Sequence, residues 1–273
     1  MDRVENIKLP EELLTEEDIV NLIGACKSQR DKAIIALLYD TGMRVGELLN
    51  LRIRDVVLNR DSLGYAMVDG KTGKRRVTLI FSVPYLAYYL DNCIKERSND
   101  ASLFFTTYGN AFDYSNVRKL LFDLKERTGM KKRLHPHLFR HSRASIYANS
   151  MTEQQLKKYF GWSGGSQMAA VYVHLSGKDV DDAVLKANGI ESKTDLQKTR
   201  LTAKACYKCH EVNEATSKYC KRCASPLDFS PILEMGDDTD VRKELESLKS
   251  AITLLMSKLD SETDKKIMKI MND

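Results

Sequence analysis

The 273-residue sequence contains no apolar run approaching the ~18 residues needed to cross a bilayer. Its opening residues, MDRVENIKLP, lack the apolar core of a secretion signal. Both absences point to a cytoplasmic, reducing setting without a membrane partner. A strong excess of one charge is also missing. The 43 Lys and Arg face 38 Asp and Glu, a formal net charge of +5. Such a mild positive balance permits a nucleic-acid partner without demanding one. It is uneven along the chain. From Asp237 onward 9 acidic residues meet 7 basic ones, which leaves 36 basic against 29 acidic, or +7, in the residues before it. Phosphate contact is therefore expected ahead of that tail. Disulfide-type spacing is absent too. Four of the six cysteines form two Cys-x-x-Cys pairs, while Cys26 and Cys93 stand alone in helical patterns and read as buried, inert thiols.

What is present reads first as helices. Thr15-Glu16-Glu17-Asp18 has the form of a helix start close to a capping box. A second helix is expected over residues 31–39, rich in Ala, Ile and Leu and largely buried, with a break over residues 40–44 and Gly42 suited to a C-terminal cap. A third helix begins near Arg44. Three β-type runs follow at residues 56–58, 65–68 and 76–80, the last two joined by the turn-rich, basic tip DGKTGKR. Helices are then expected over residues 82–95, with Pro84 in the first turn, and over residues 117–127.

The stretch from Leu134 to Ser176 carries the most chemistry. His137 and Arg140 lie three residues apart at the start of a helix, on one face, so both can address one site. A helix over residues 153–160 ends at Gly161, Trp162 follows in a loop, and a short helix over residues 167–174 bears Tyr172. Phosphate-capable donors followed by a positioned phenol suit covalent phosphoryl chemistry. Two further cations belong to the argument. Arg44 lies at a helix start, where orphan N–H groups favour anions, and Lys71 stands at the exit of a strand on the hairpin tip. Taken alone, Arg44 reads more readily as a surface charge paired with Glu47 or Asp55, and Lys71 as part of a common solvated basic turn.

Taken in order, TGMRVGELLNLRIRDV, DGKTGKRRVTL, HPHLFRH, the Gly161-Trp162 loop and AAVYVHLS resemble the tyrosine recombinase, or phage integrase, family. The resemblance covers roughly residues 15–185. It implies an α+β fold, mainly helical with a small antiparallel sheet, and a site-specific enzyme that breaks and rejoins double-stranded DNA. By that likeness Arg44 and Arg140 clamp the scissile phosphate, and Tyr172 attacks phosphorus to give a 3′-phosphotyrosine. His137 is the natural proton acceptor or hydrogen-bond partner, Lys71 protonates the leaving 5′-oxygen, and Glu47 orients the site. Many members have His where Trp162 stands; an indole N–H donates but cannot shuttle a proton, so Trp162 is expected to bond a phosphate oxygen and exclude water. The scheme needs no ATP and no divalent metal, and a homotetramer on DNA is implied. The family usually places a helical core-binding domain of about 100 residues ahead of this one. Some fourteen residues precede the first helix here, so the chain is expected to be either a piece of a longer protein or a short protein with altered DNA grip. Without that domain, weaker, more salt-sensitive DNA binding and poor strand exchange are expected.

The reading divides the chain into a catalytic domain over residues 1–190, a ribbon over residues 204–229 and a terminal helix over residues 238–271. A short helix over residues 179–187 would dock on its own domain or on a neighbouring protomer. Cys206, Cys209, Cys220 and Cys223 have the spacing of a structural zinc site made of four thiolates, with His210 surplus. A zinc ribbon in series with a helical tail resembles archaeal integrases. Apolar positions 241, 245, 248, 252, 255 and 259 form a short heptad seam, open to a coiled coil or to docking on the body. Two rivals stand beside recombination. One is relaxation of DNA in the manner of a type IB topoisomerase. The other is a catalytically silent DNA-binding or adaptor protein, against which the full set of Arg44, Lys71, His137, Arg140 and Tyr172 argues.

Overall fold

The protein is seen here as a computed structural model that describes residues 12–59, 63–70, 72–94, 98–175 and 201–227. The helix expected over residues 179–187 and the heptad seam lie outside the described residues. The chain divides into two compact units, Met1–Cys206 with His210–Ser217, and Tyr207–Cys209 with Lys218–Asp273.

The first unit is α+β. Eight helices among the described residues surround a small three-stranded antiparallel sheet. Helix α1, Glu16–Gly24, starts where a capping box would place it: the Thr15 side chain accepts from the Asp18 N–H and Asp18 answers to the Thr15 N–H. Helix α2, Gln29–Thr41, is capped by Ser28 and runs through the core with residues 33–39 no more than 2% exposed. It extends two residues further at its C-terminus than its sequence pattern suggests. Asp40, expected in the break, is therefore part of the last turn. Its fully buried carboxylate accepts from the N–H groups of Ile80 and Ser82 and from the Ser82 hydroxyl. Those bonds hold the end of the sheet against α2. Gly42 then takes a left-handed conformation at φ 59°, as a C-terminal cap should.

Helix α3, Val45–Leu49, follows at once with Arg44 as its N-cap. Strands β1 (Val56–Leu58), β2 (Gly64–Gly70) and β3 (Gly73–Leu79) pair antiparallel in chain order, with Gly70 opposite Gly73. The sheet therefore runs almost to the tip of the hairpin, further than a loose loop over residues 69–75 would allow. Helices α4 (Val83–Asn92) and α5 (Tyr114–Thr128) pack their apolar faces on the main core. Helix α6, Pro136–Ala148, opens on Pro136, which costs no hydrogen bond in a first turn. Together with α7 (Glu153–Phe160) and α8 (Met168–Leu175) it encloses a smaller cluster of Ala144, Ala148, Leu156, Phe160, Ala169 and Tyr172.

Of the two lone cysteines, Cys26 comes close to the inert, buried thiol expected and Cys93 departs from it. Cys26 follows the end of α1, half-buried, with its thiol pushed up to about 12, chiefly by burial. Cys93 is the C-terminal cap of α4 and is exposed.

Between residues 204 and 227 the chain forms two knuckles. A two-stranded antiparallel pair, β4 (Lys204–Ala205) and β5 (Val212–Asn213), supports the first. The knuckles repeat one geometry: His210 N–H donates to the Cys206 carbonyl and Ala224 N–H to the Cys220 carbonyl, both at 2.9 Å. Each is followed by a left-handed residue, His210 at φ 57° and Ala224 at φ 56°.

Candidate active site

Three arginines from three different elements converge on the end of α7. A helix leaves its last carbonyls without partners and carries partial negative charge there, so its C-terminus attracts cations. Tyr159 carbonyl accepts from Arg75 Nε at 2.8 Å, and Phe160 carbonyl from Arg140 Nη2 at 2.6 Å. Gly161 carbonyl accepts from Arg44 Nη2 at 3.1 Å. The close of α2 contributes in the same way, its Gly42 carbonyl taking Arg140 Nη1 at 3.0 Å. Gly161 is held at φ 61°, and a Cβ there would lie 3.0 Å from both Arg75 Nη1 and Thr72 Oγ1. The turn thus requires glycine for its conformation and for space.

Glu47 is the counter-ion. Its carboxylate is 3% exposed and forms a bidentate pair with Arg75, both contacts 2.7 Å. It also accepts from the Arg44 backbone N–H at 2.8 Å and from Arg44 Nη1 at 3.1 Å. Burial alone would raise the Glu47 carboxyl, but the Arg75 pairing, the Arg44 N–H and the charge of Arg75 outweigh it and hold the group below the usual range. A depressed carboxylate stabilises the fold fully above its unfolded value of 4.5 and loses that contribution as pH falls through the lower folded value. Melting measured from about pH 6 to about pH 3 should therefore show the native chain losing stability relative to Glu47→Gln as the lower end is approached. Parallel curves for the two chains would rule this out.

One carboxylate among three guanidiniums leaves the pocket with surplus positive charge. Arg140 feels this most. It is 6% exposed, and burial first, then Arg44, push its pKa down to about 9. The side chain remains a cation at neutral pH. A buried cation short of counter-charge is the electrostatic preparation for an anion. Arg44 is half-open, with donors to spare beyond those satisfied by Glu47 and the α7 carbonyls.

The aromatic side of the pocket is a stack. Phe160 lies on Trp162 with ring centroids 5.0 Å apart, and Trp162 lies on Tyr172 at 5.7 Å and 2°. The Arg140 guanidinium sits 5.0 Å from the Phe160 centroid and 5.4 Å from that of Trp162. Tyr172, on α8, is 6% exposed, and its hydroxyl meets Nδ1 of His141. His137 stands exposed in the first turn of α6; partial burial first, then the charges of Arg140 and Arg44, lower its pKa and favour the neutral imidazole.

Arg44, Glu47, Arg140, Trp162 and Tyr172 are thus brought together, with His137 at the open side. Lys71 lies outside the described residues, although its neighbour Thr72 is tied to the site by a 3.2 Å hydrogen bond to the Gly161 carbonyl. Two residues of the site had no role in the sequence reading. Arg75 had a signal: on β3 it shares the face of Val77 and Leu79, which are buried, whereas Arg76 alternates outward. His141 follows Arg140 directly and lies one turn beyond His137. Beside the site, the hairpin and α7 border a cleft of about 790 Å³ lined by Lys74, Arg76, Lys157 and Lys158.

Within the second unit, Cys209 and Cys220 Sγ lie 3.6 Å apart. Cys206 and Cys220 are buried, and Cys209 and Cys223 are partly so.

Residues 12–178 match the model of the phage integrase family. Tyrosine recombinase XerS of Streptococcus agalactiae is 32% identical over 164 residues, 58% of this chain and 45% of that protein. Tyrosine recombinase XerA of Pyrococcus horikoshii is 28% identical over 196 residues, covering 70% of this chain and 67% of its own. The chain therefore spans less than half the length of XerS. Among solved structures, XerA recombinase superposes with a TM-score of 0.53 at 26% identity, covering 69% of this chain and 65% of that one. A XerH recombinase bound to its difH substrate shares the fold at a TM-score of 0.51 and 22% identity, over 66% of this chain and 54% of that one.

Proposed function

Because the chain belongs to the phage integrase family, we propose that it is a site-specific recombinase that cuts and rejoins double-stranded DNA through a 3′-phosphotyrosine. The observation that carries this reading is the convergence of the Arg44 and Arg140 guanidiniums with a fixed phenol, Tyr172, around surplus positive charge. Arg44 and Arg140 hold the non-bridging oxygens of the scissile phosphate and offset the charge of the five-coordinate transition state. Tyr172 Oη bonds to phosphorus as the bond to the 5′-oxygen breaks, and Lys71 protonates that oxygen. His137, neutral and exposed, donates to the phosphate. Trp162 supplies an indole N–H and keeps water from the phosphotyrosine. Glu47 and Arg75 hold Arg44 in place. The phosphotyrosine conserves the bond energy for rejoining, so neither ATP nor a divalent metal is required. The chain would act as an oligomer on DNA, a tetramer in the family's manner.

The domain assignment follows this reading: catalytic over residues 1–190, a zinc ribbon over 204–229 and a terminal helix over 238–271. Zinc suits the knuckles because a Zn–S bond of about 2.3 Å places tetrahedral corners about 3.8 Å apart, close to the spacing of Cys209 and Cys220. Cys206, Cys209, Cys220 and Cys223 fill all four positions, so the metal would hold the ribbon together and leave the DNA chemistry to the pocket. Elemental analysis is expected to find about one zinc per chain, lost in Cys220→Ser along with protease resistance of the ribbon. A metal-free chain with an intact ribbon would overturn the assignment.

The test of function is a nicked suicide substrate incubated with the protein while metals are chelated, then run on a denaturing gel. A covalent protein–DNA band is the expected result. DNA binding without an adduct on any candidate site would favour the silent DNA-binding reading, and relaxation of supercoils without strand exchange the topoisomerase one.

A further inference from the structure

The proton that leaves Tyr172 finds no acceptor in the guanidiniums of Arg44 and Arg140 or in the indole of Trp162, which only donates. His137 stands exposed in the first turn of α6. His141 lies four residues on, on the same face of that helix, and brings Nδ1 against the Tyr172 hydroxyl. The two ring centroids are 6.0 Å apart with the planes tilted 40°. We propose that His141 is a catalytic residue of this site, fixing the Tyr172 hydroxyl and taking its proton as the phenol attacks phosphorus. The proposal rests on the recombinase reading above.

The surrounding contacts give the contact its meaning. Stacking on Trp162, itself stacked on Phe160, fixes the plane of the Tyr172 ring. What remains free is rotation about the C–O bond, and a hydrogen bond to His141 directs the hydroxyl hydrogen to Nδ1. An oxygen lone pair is then left for phosphorus. The charge of Arg140 also couples to the phenol, so the developing phenolate is stabilised from one side while its proton departs on the other. Acceptance at Nδ1 requires the imidazole to carry its own hydrogen on Nε2. The step balances. The Oη–P bond forms, the bond to the 5′-oxygen breaks, the phenolic proton passes to Nδ1, and the departing 5′-oxygen takes a proton from Lys71. On rejoining, the 5′-hydroxyl returns its proton to Lys71 and attacks phosphorus, and the His141 imidazolium reprotonates Tyr172. His137 is thereby left to the phosphate, and the two histidines serve different oxygens.

The test uses the full chain and single-turnover cleavage of the nicked substrate at saturating protein. His141→Asn places an amide near the position of Nδ1, keeping a hydrogen-bond partner without a base. Cleavage is expected to slow by roughly 100-fold or more, the usual contribution of a general base, with DNA affinity changed by no more than about threefold. A substrate carrying sulfur in place of the scissile 5′-oxygen needs no leaving-group proton. It should restore cleavage to Lys71→Ala and leave His141→Asn slow. Incorporating a fluorinated tyrosine of lower phenol pKa at position 172 should recover rate in His141→Asn, which a purely structural defect would not. His141→Gln, whose amide reaches toward Nε2, runs alongside as a second variant, and both are compared with the native chain by melting temperature. Native-like cleavage by either folded variant would overturn the proposal, as would rescue by the sulfur substrate. A native chain that forms no Tyr172 adduct would instead overturn the recombinase reading itself.

Discussion

Tyr172→Phe is expected to abolish the covalent adduct while DNA affinity stays within about threefold of the native chain. The substitution deletes one oxygen and keeps the ring. Phenylalanine preserves the flat stack on Trp162 and the packing against Ala144, Leu156 and Ala169, so the pocket keeps its shape and its arginines. What is lost is the hydroxyl proposed to bond to phosphorus. The expected fall in cleavage is on the order of 10⁴-fold or more, about 5.5 kcal/mol of barrier, and no adduct band should remain after prolonged incubation. A Phe variant that still formed the adduct would move the nucleophile elsewhere. One that lost binding and adduct together would make Tyr172 a structural aromatic. The denaturing gel and a filter-binding titration on the same samples separate these results.

The second large effect is expected at a residue that is not asked to touch DNA. Arg75→Met strips the buried Glu47 carboxylate of its bidentate partner. Breaking a buried pair from one side costs about 3 kcal/mol or more, because the remaining charge stays desolvated; that corresponds to a melting shift of about 6–12 °C for a unit of this size. Cleavage should fall as well, by roughly 100-fold, because Glu47 then orients Arg44 without support from Arg75, and the hairpin keeps only the Thr72 bond of its two described ties to the end of α7. The double variant Arg75→Met with Glu47→Gln removes both charges and should regain much of the stability but little of the activity. That asymmetry is the diagnostic. If the double variant were no more stable than Arg75→Met alone, the pair would not be the element that holds the pocket together. Recovery of activity with stability would show that Arg44 needs no such support.

Most of the site was legible in the sequence because its parts sit on local structure. Arg44 follows a glycine cap, His137 and Arg140 share a helix face, and Tyr172 rides a short helix after Gly161. Each placement depends on helical period and caps, which are decided within a few residues. The ends of α1 and α7 likewise follow their capping residues. Asp40 shows the limit of that reasoning. Its carboxylate could have closed a turn locally, but N–H groups 40 and 42 residues away offered stronger satisfaction in the core, and α2 continued through it.

Residue types and their spacing are read directly along the chain. From that follow the helices, the hairpin, the two cysteine knuckles and the family to which the chain belongs. Which side chains pair is settled by packing in three dimensions. Glu47 has Arg44 three residues away, yet its bidentate partner is Arg75, 28 residues along on a strand whose register turns that side chain inward and Arg76 outward. His141 is an unremarked neighbour of Arg140 until α8, 31 residues on, docks Tyr172 against it. The reason is the same in both cases. A buried charge or hydroxyl takes the partner that the packed core brings within reach, and that choice is made by desolvation and geometry after the chain has folded.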